Sequence, residues 1–204
     1  MNKLAVTIID CGVGNIGSVA NMIVKAGGTP RIVLEPDKLA EASKVVLCGV
    51  GAFDRGISSL TAGGWSEPLR SVVRSGVPLL GICLGLQMMC RDSEEGKLPG
   101  LGFFPARVRR IVPADPGLSV PHVGWSEVRV CRPNALFRQE DFPRFYFTHS
   151  FHAFCDRDED VIATAEYGGP VTAAISRGNL FGTQFHPEKS HRYGLSLFTN
   201  FLRL

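Results

Sequence analysis

The six cysteines of this chain form no Cys-x-x-Cys pair. Cys11, Cys48, Cys83, Cys90, Cys131 and Cys155 stand far apart, which speaks for reduced thiols in a cytosolic enzyme and against a zinc knuckle or a disulfide frame. No apolar run approaches the roughly 20 residues of a membrane-spanning helix. The opening MNKLAVTIID has neither the length of a signal-peptide core nor a small-residue cleavage site, so a cytoplasmic location is expected. Charge of one sign is also scarce. The net charge is +3, and the only basic cluster, Arg107-Val108-Arg109-Arg110, reads as the outer face of a strand rather than a nucleic-acid footprint. Internal repeats, low-complexity tracts and linkers are missing too. With 204 residues and 45% hydrophobic content, the expectation is a single domain spanning 1–204 with a full core.

What is present changes character halfway. The first half alternates short apolar runs with helix-period segments, the pattern of a parallel sheet with crossover helices. LAVTIID (4–10), RIVL, KVVLCGVG and VPLLGIC read as strands, and KVVLCGVG runs into a glycine-rich turn. From Asn15 onward Ile16, Val19, Ala20, Ile23 and Val24 keep helical spacing until Gly27-Gly28. Ser66-Glu67-Pro68 reads as a capped helix start, with Leu69, Val72 and Val73 facing inward and Gly76 as the stop. LGLQMMC begins another helix. In the second half FPARVRRIV, VGWSEVRV, RFYFTHSF, DVIATAEY, VTAAIS and NLFGTQF are strand-like and mostly antiparallel, and GLSLFTNFLRL closes the chain as an amphipathic helix.

Two glycine patterns compete for the function. Gly12-Val13-Gly14-Asn15-Ile16-Gly17 is formally G-x-G-x-x-G, with Glu35 about where a ribose-binding acid belongs in a dinucleotide site. The same glycines serve a tight strand-to-helix turn equally well. Gly81-Ile82-Cys83-Leu84-Gly85 has the form of a nucleophile elbow, in which the nucleophile sits at the tip of a strand-to-helix turn. A thiol nucleophile needs a base, and the base an orienting group. In the extended segment Gln184-Phe185-His186-Pro187-Glu188, residues two apart share a face, so His186 and Glu188 can meet with Pro187 stiffening the chain between them. Cysteine, histidine and carboxylate then form a triad at the carboxyl ends of parallel strands. His149 and His152 lack a third metal ligand, and FYFTHSFH reads as a strand whose histidines face a cleft or solvent. His122 and His191 have no chemical partner in the sequence.

On the segments CGVGNIGSV, CGVGAF, GICLGLQ, PHVGW, FYFTHS and GTQFHPEKS the chain resembles class I glutamine amidotransferases, and within that class the glutaminase subunit of imidazole glycerol phosphate synthase. GICLGLQ with QFHPE marks the class; PHVGW and FYFTHS favour this subunit. The resemblance implies an α/β, three-layer, flavodoxin-like fold with a central mostly parallel sheet and additional antiparallel strands in the second half. It implies that Cys83 attacks the side-chain amide of L-glutamine, His186 relays protons to the departing ammonia and Glu188 holds the imidazole. Oxyanion donors are the backbone N–H of Leu84 and the turn at Val50 and Gly51, with a peptide flip at Val50. Gln87, Ser150 and the Gly49 to Gly51 backbone hold the substrate. Neither cofactor nor metal is implied. With the whole length used by the glutaminase fold, ammonia is expected to pass through a channel to a separate (β/α)8-barrel cyclase. Asn15, Trp125, Tyr146 and Lys189 face that partner, whose binding gates activity.

Several positions depart from the pattern. Cys48 stands where the family usually has proline in the oxyanion turn, which frees a backbone N–H and a φ angle. Cys11 replaces a common tyrosine, Gly17-Ser18 a common arginine-serine, and SHRYG is atypical of histidine-pathway members. These features are similar to paralogues that supply ammonia for amidine groups on bacterial surface sugars, so two acceptors stand, with histidine biosynthesis ahead. A dinucleotide-binding module and a catalytically silent subunit are the readings from other classes; the intact Cys83, His186 and Glu188 speak against the latter.

Overall fold

The computed structural model describes residues 4–137 and 143–204. The chain begins with a βαβ unit: Ala5–Ile9 (β1), Ile16–Lys25 (α1) and Thr29–Val33 (β2). A 3-10 turn at Pro36–Glu41 leads to Val45–Gly49 (β3), Phe53–Ala62 (α2), Ser66–Arg74 (α3), Leu79–Cys83 (β4) and the short helix Leu84–Met88 (α4). Strands follow at Asp92–Ser93 (β5), Ala106–Arg110 (β6), His122–Val130 (β7), Arg144–His149 (β8), Phe151–Cys155 (β9), Val161–Glu166 (β10), Pro170–Arg177 (β11) and Leu180–Thr183 (β12). His191–Leu202 (α5) is the last helix.

Nine strands make one sheet in the order β2-β1-β3-β4-β12-β11-β10-β7-β8. The first five are mutually parallel, and every later neighbour is antiparallel. The antiparallel half thus extends the same sheet, while β5-β6-β9 form a separate small one. Buried on both faces, β3 and β4 read as continuous apolar runs, as central parallel strands do.

Alternating side chains divide the core in two. Ile9, Val45 and Leu47 point toward α2, α3 and the small sheet, where Phe53, Trp65, Leu69 and Phe104 are fully or nearly fully buried. Ile8, Val46 and Cys48 point the other way, toward α1 and α5, with Ile23, Phe198 and Phe201. Helices therefore cover both faces of the parallel half, giving three layers.

Three local expectations change. Ser66 is the first helical residue rather than the cap; Trp65 occupies the cap position and no side chain bonds there. RFYFTHSF is not one strand: it breaks at Ser150, and β8 and β9 belong to different sheets. The segment Phe53–Ala62, whose pattern announces no element, folds as α2 with Phe53, Ile57 and Leu60 buried, because its small residues let it lie close to α4; a Cβ on Gly56 would meet Met88 Sδ at 2.6 Å. The basic cluster lies on β6 as expected, where Arg107 pairs with Asp92 at 3.4 Å and Arg109 covers the Phe154 ring.

Candidate active site

The elbow is built from the two glycines around Cys83. Cys83 itself has φ +53, left-handed backbone that a non-glycine residue holds only under constraint, at a cost of about 1–3 kcal/mol. A Cβ at Gly85 would lie 1.9 Å from Leu47 O, and one at Gly81 2.6 Å from Met89 Sδ and 2.7 Å from Leu86 N. The turn closes only because both positions lack side chains. Parallel pairing of β12 with β4 then brings the segment after Thr183 to the same end of the sheet as Cys83.

His186 lies just beyond β12, its N–H bonded to Tyr146 O at 2.9 Å. Its Nδ1 is 2.8 Å from Glu188 Oε1, with both side chains only 2% exposed. A carboxylate accepts, so Nδ1 carries the proton and Nε2 is the nitrogen left for Cys83. That Nε2 is buried and makes no hydrogen bond of its own. Burial pulls the imidazole down, but the neighbouring Cys83 sulfur and the Glu188 carboxylate outweigh it and hold it up at about 9. Ser190, fully buried, ties this segment to β8: its hydroxyl donates to His186 O at 2.6 Å and accepts the Tyr146 N–H at 3.0 Å. Gly194 in α5 sits so close that a Cβ would lie 1.7 Å from Pro187 O.

A cavity of about 360 Å³ opens over the sulfur, lined by Val50, Gly51, Cys83, Leu84, Gln87, Glu95, Thr148, His149, Ser150, Phe151 and His186. A groove of about 450 Å³ between residues 36–42 and α3 is larger but has no histidine or cysteine in its lining. Gly51 has φ +103, which suits glycine alone, and Gly49 packs against Leu84 and the Gly85 N–H. The Val50 N–H is not free toward the cavity: it donates to Val13 O at 2.6 Å. Leu84 therefore stands at the elbow as expected, whereas the Val50 donor is engaged elsewhere. Gln87 lines the cavity, but its amide nitrogen is spent on Phe151 O and Gln184 Oε1, both at 3.0 Å. Ser150 lines it from the bend between β8 and β9.

Glu95 also lines the site, although its segment DSEEGKLPG carries no pattern. One of its oxygens takes the Phe53 N–H at 3.0 Å, and it is the cavity's only acidic lining residue. Beside the site, Trp125 and Tyr146 are cross-strand partners with ring centroids 6.3 Å apart, and Trp125, 40% exposed, stacks on His191 at 5.5 Å. Lys189 Nζ lies 5.7 Å from the Tyr146 ring centroid. Asn15 precedes α1 and makes no side-chain cap bond.

The glycine-rich first turn serves this site rather than a dinucleotide. A Cβ on Gly14 would meet Cys48 O and Sγ at 2.9 Å, and Val13 holds Val50, so the turn is packed against β3. Gly17, which should pack tightly in a dinucleotide fingerprint, has open space, and Glu35 is an exposed partner of Lys38 at 3.8 Å. Cys48 is buried, its thiol pushed up to about 12 first by burial and then by Glu188. His122 is sandwiched between Phe147 and Tyr167, with Nε2 2.8 Å from Ser126 Oγ, and His152 Nδ1 accepts the Thr172 N–H. Among the described residues no cluster of three or more His, Cys, Asp or Glu could hold a metal ion, and no helix is long and apolar enough to cross a membrane.

Residues 7–204 match the family model described as glutamine amidotransferase class-I. The chain is 40% identical over 200 residues to an imidazole glycerol phosphate synthase subunit HisH 2 of Methanococcus maripaludis, covering 97% of this chain and 98% of that one. It is 42% identical over 200 residues to the corresponding subunit HisH of Bdellovibrio bacteriovorus, covering 96% and 98%. In fold it is similar to the solved structure of PurLQS from Thermotoga maritima, with a TM-score of 0.73, 18% identity and coverage of 98% and 97%. The chain belongs to the class I glutamine amidotransferase family.

Proposed function

We propose that the chain hydrolyses the side-chain amide of L-glutamine at Cys83 and hands the ammonia to a separate synthase subunit, for imidazole glycerol phosphate formation. The observation that carries the reading is the triad geometry: a strained Cys83 elbow beside a buried His186 whose Nδ1 is fixed by Glu188 at 2.8 Å. The names of the relatives support the pathway. Cys83 gives its proton to His186 Nε2 as the sulfur attacks the amide carbon and forms a C–S bond, and His186 delivers that proton to the nitrogen as the C–N bond breaks. Water, deprotonated by His186, then cleaves the thioester to glutamate and restores the thiol. Glu188 keeps the imidazole in the tautomer and charge state both steps need.

Negative charge on the carbonyl oxygen is met by the Leu84 N–H and by a second donor from the Gly49–Gly51 turn. With the Val50 N–H bonded to Val13 O, that second donor requires the peptide before Val50 to flip. The resting state is therefore a slow one, and a partner that draws the first turn away from β3 speeds it. Glutamine is held by Gln87, Ser150, the 49–51 backbone and, at its ammonium, the Glu95 carboxylate. Asn15, Trp125, Tyr146 and Lys189 form the face toward a (β/α)8-barrel subunit, through which the ammonia is channelled. The whole chain, 1–204, acts as one glutaminase domain in the cytoplasm. A second acceptor, a surface-sugar amidine, is favoured by one observation: His191 of the atypical SHRYG segment stacks on Trp125 at that face, so the departure changes the partner surface and not the triad.

The test is ammonia release from glutamine by wild type and Cys83→Ala, each alone and with the barrel subunits of the same organism. Activation of wild type by one barrel, with Cys83→Ala inactive, is expected, and that barrel names the pathway. Full activity of Cys83→Ala, or no turnover with any barrel, sinks the proposal.

A further inference from the structure

The carbonyl oxygen of Phe151 can only accept, and it receives Gln87 Nε2 at 3.0 Å and His149 Nδ1 at 2.8 Å. The nitrogen end of the Gln87 amide is fixed by that contact. The same nitrogen lies 3.0 Å from Gln184 Oε1, so the Gln184 amide is oriented in turn, oxygen toward Gln87. Its Nε2 is left 3.7 Å from Cys83 Sγ, inside the range of an N–H···S bond. Gln184 is fully buried and its main-chain N–H is held by Ala173 O at 2.8 Å, so its side chain has no water to turn to. The direction of the last N–H is thus dictated by a backbone carbonyl two links away. An amide N–H aimed at sulfur from a fully buried side chain stabilises negative charge on that sulfur.

We infer that Gln184 is a positioning residue for the nucleophile, holding the Cys83 thiolate through its Nε2–H while Gln87 fixes the direction of that amide. The inference rests on the reading of Cys83 as the glutaminase nucleophile. One consequence concerns substrate binding: with both its amide protons engaged internally, Gln87 offers glutamine only its oxygen.

The test uses the full chain and a probe independent of turnover. Cys83 alkylation by iodoacetamide at neutral pH is followed on the Cys83 peptide by mass spectrometry, in wild type, Gln184→Met and Gln184→Glu. Methionine keeps the volume and loses the donor; glutamate keeps the acceptor for Gln87 and turns an acceptor toward sulfur. Both variants are expected to alkylate about tenfold more slowly, the size of one lost hydrogen bond to a charged group. With the activating barrel, kcat falls by a similar factor while KM stays within about twofold. The sign separates positioning from mere packing, because a loosened core around a nearly buried cysteine speeds alkylation. Wild-type or faster alkylation in either variant overturns the inference. If that occurs while Cys83→Ala is inactive, only the role of Gln184 fails; if Cys83→Ala still turns over glutamine, the glutaminase reading fails and takes this inference with it.

Discussion

Gly194→Ala sets helix propensity against contact with the triad segment. In an exposed helix interior, replacing glycine by alanine adds about 1 kcal/mol of stability. Here the new Cβ would lie 1.7 Å from Pro187 O, 2.7 Å from Pro187 C and 3.3 Å from Pro187 Cα. The obstacle is backbone, not the end of a flexible side chain, so α5 and the segment carrying His186 and Glu188 must part by more than an ångström. Overpacking of this kind costs about 1–3 kcal/mol, which against the propensity gain leaves a net loss of roughly 0–2 kcal/mol. The effect on rate is larger, since misplacing catalytic groups by about 1 Å costs on the order of 100-fold. The expected signature is dissociation of the two readouts: urea unfolding followed by tryptophan fluorescence loses no more than about 2 kcal/mol, and glutamine hydrolysis with the barrel subunit drops about 100-fold. A variant that gains about 1 kcal/mol and keeps its kcat refutes the reasoning, because it means that Pro187 does not rest against the helix.

Ser190→Ala removes the hydroxyl that takes the buried Tyr146 N–H and donates to His186 O; a loss of about 1–3 kcal/mol in denaturant titration, with reduced kcat, is expected, and unchanged stability would count against the bridge. The pH dependence has two limbs. His186, held up at about 9, contributes stability that is complete below its unfolded value near 6.5 and disappears as pH rises through 9. His149, pushed down to about 3 by burial, works the other way: the unfolded chain takes up its proton first, so stability falls as pH drops from about 6.5 toward 3. In melting scans His149→Gln should remove about 1.4 kcal/mol per pH unit of the acid limb, and an unaltered slope contradicts that assignment. Trp125→Ala should weaken binding of the barrel subunit at least tenfold by calorimetry while leaving Cys83 alkylation at its wild-type rate; equal affinity moves the interface elsewhere.

Much of this architecture is legible locally. β1, β3 and β4 announce themselves because strands buried in a parallel sheet must be apolar throughout. The elbow is visible because a turn that tight tolerates no Cβ on either side, and the collisions a Cβ would make at Gly81 and Gly85 are the physical content of that rule. His186 and Glu188 are readable because two residues of spacing and a proline suffice to put them on one face. By contrast, α2 was hidden: Phe53, Ile57 and Leu60 keep helical spacing, but glycine and serines between them weaken the pattern until α4 supplies the surface they pack on.

What lay beyond the sequence are the contacts between distant backbones and amides. Val13 O and Val50 N meet between the turns that follow the first and third strands, and a main-chain bond leaves no mark on side-chain identity. Gln87 and Gln184 are 97 positions apart and look like two ordinary polar residues until the pairing of β12 with β4 sets one beside the other. Gly194 reads as a helix defect until Pro187 O is found against it. The identity of the triad and the sharpness of its elbow are short-range properties, set by sterics within a few residues of Cys83 and His186. The engagement of the Val50 donor, the aim of Gln184 and the rigidity of the histidine segment are decided only when the sheet brings separate strands together, because each depends on a partner that the local chain cannot supply.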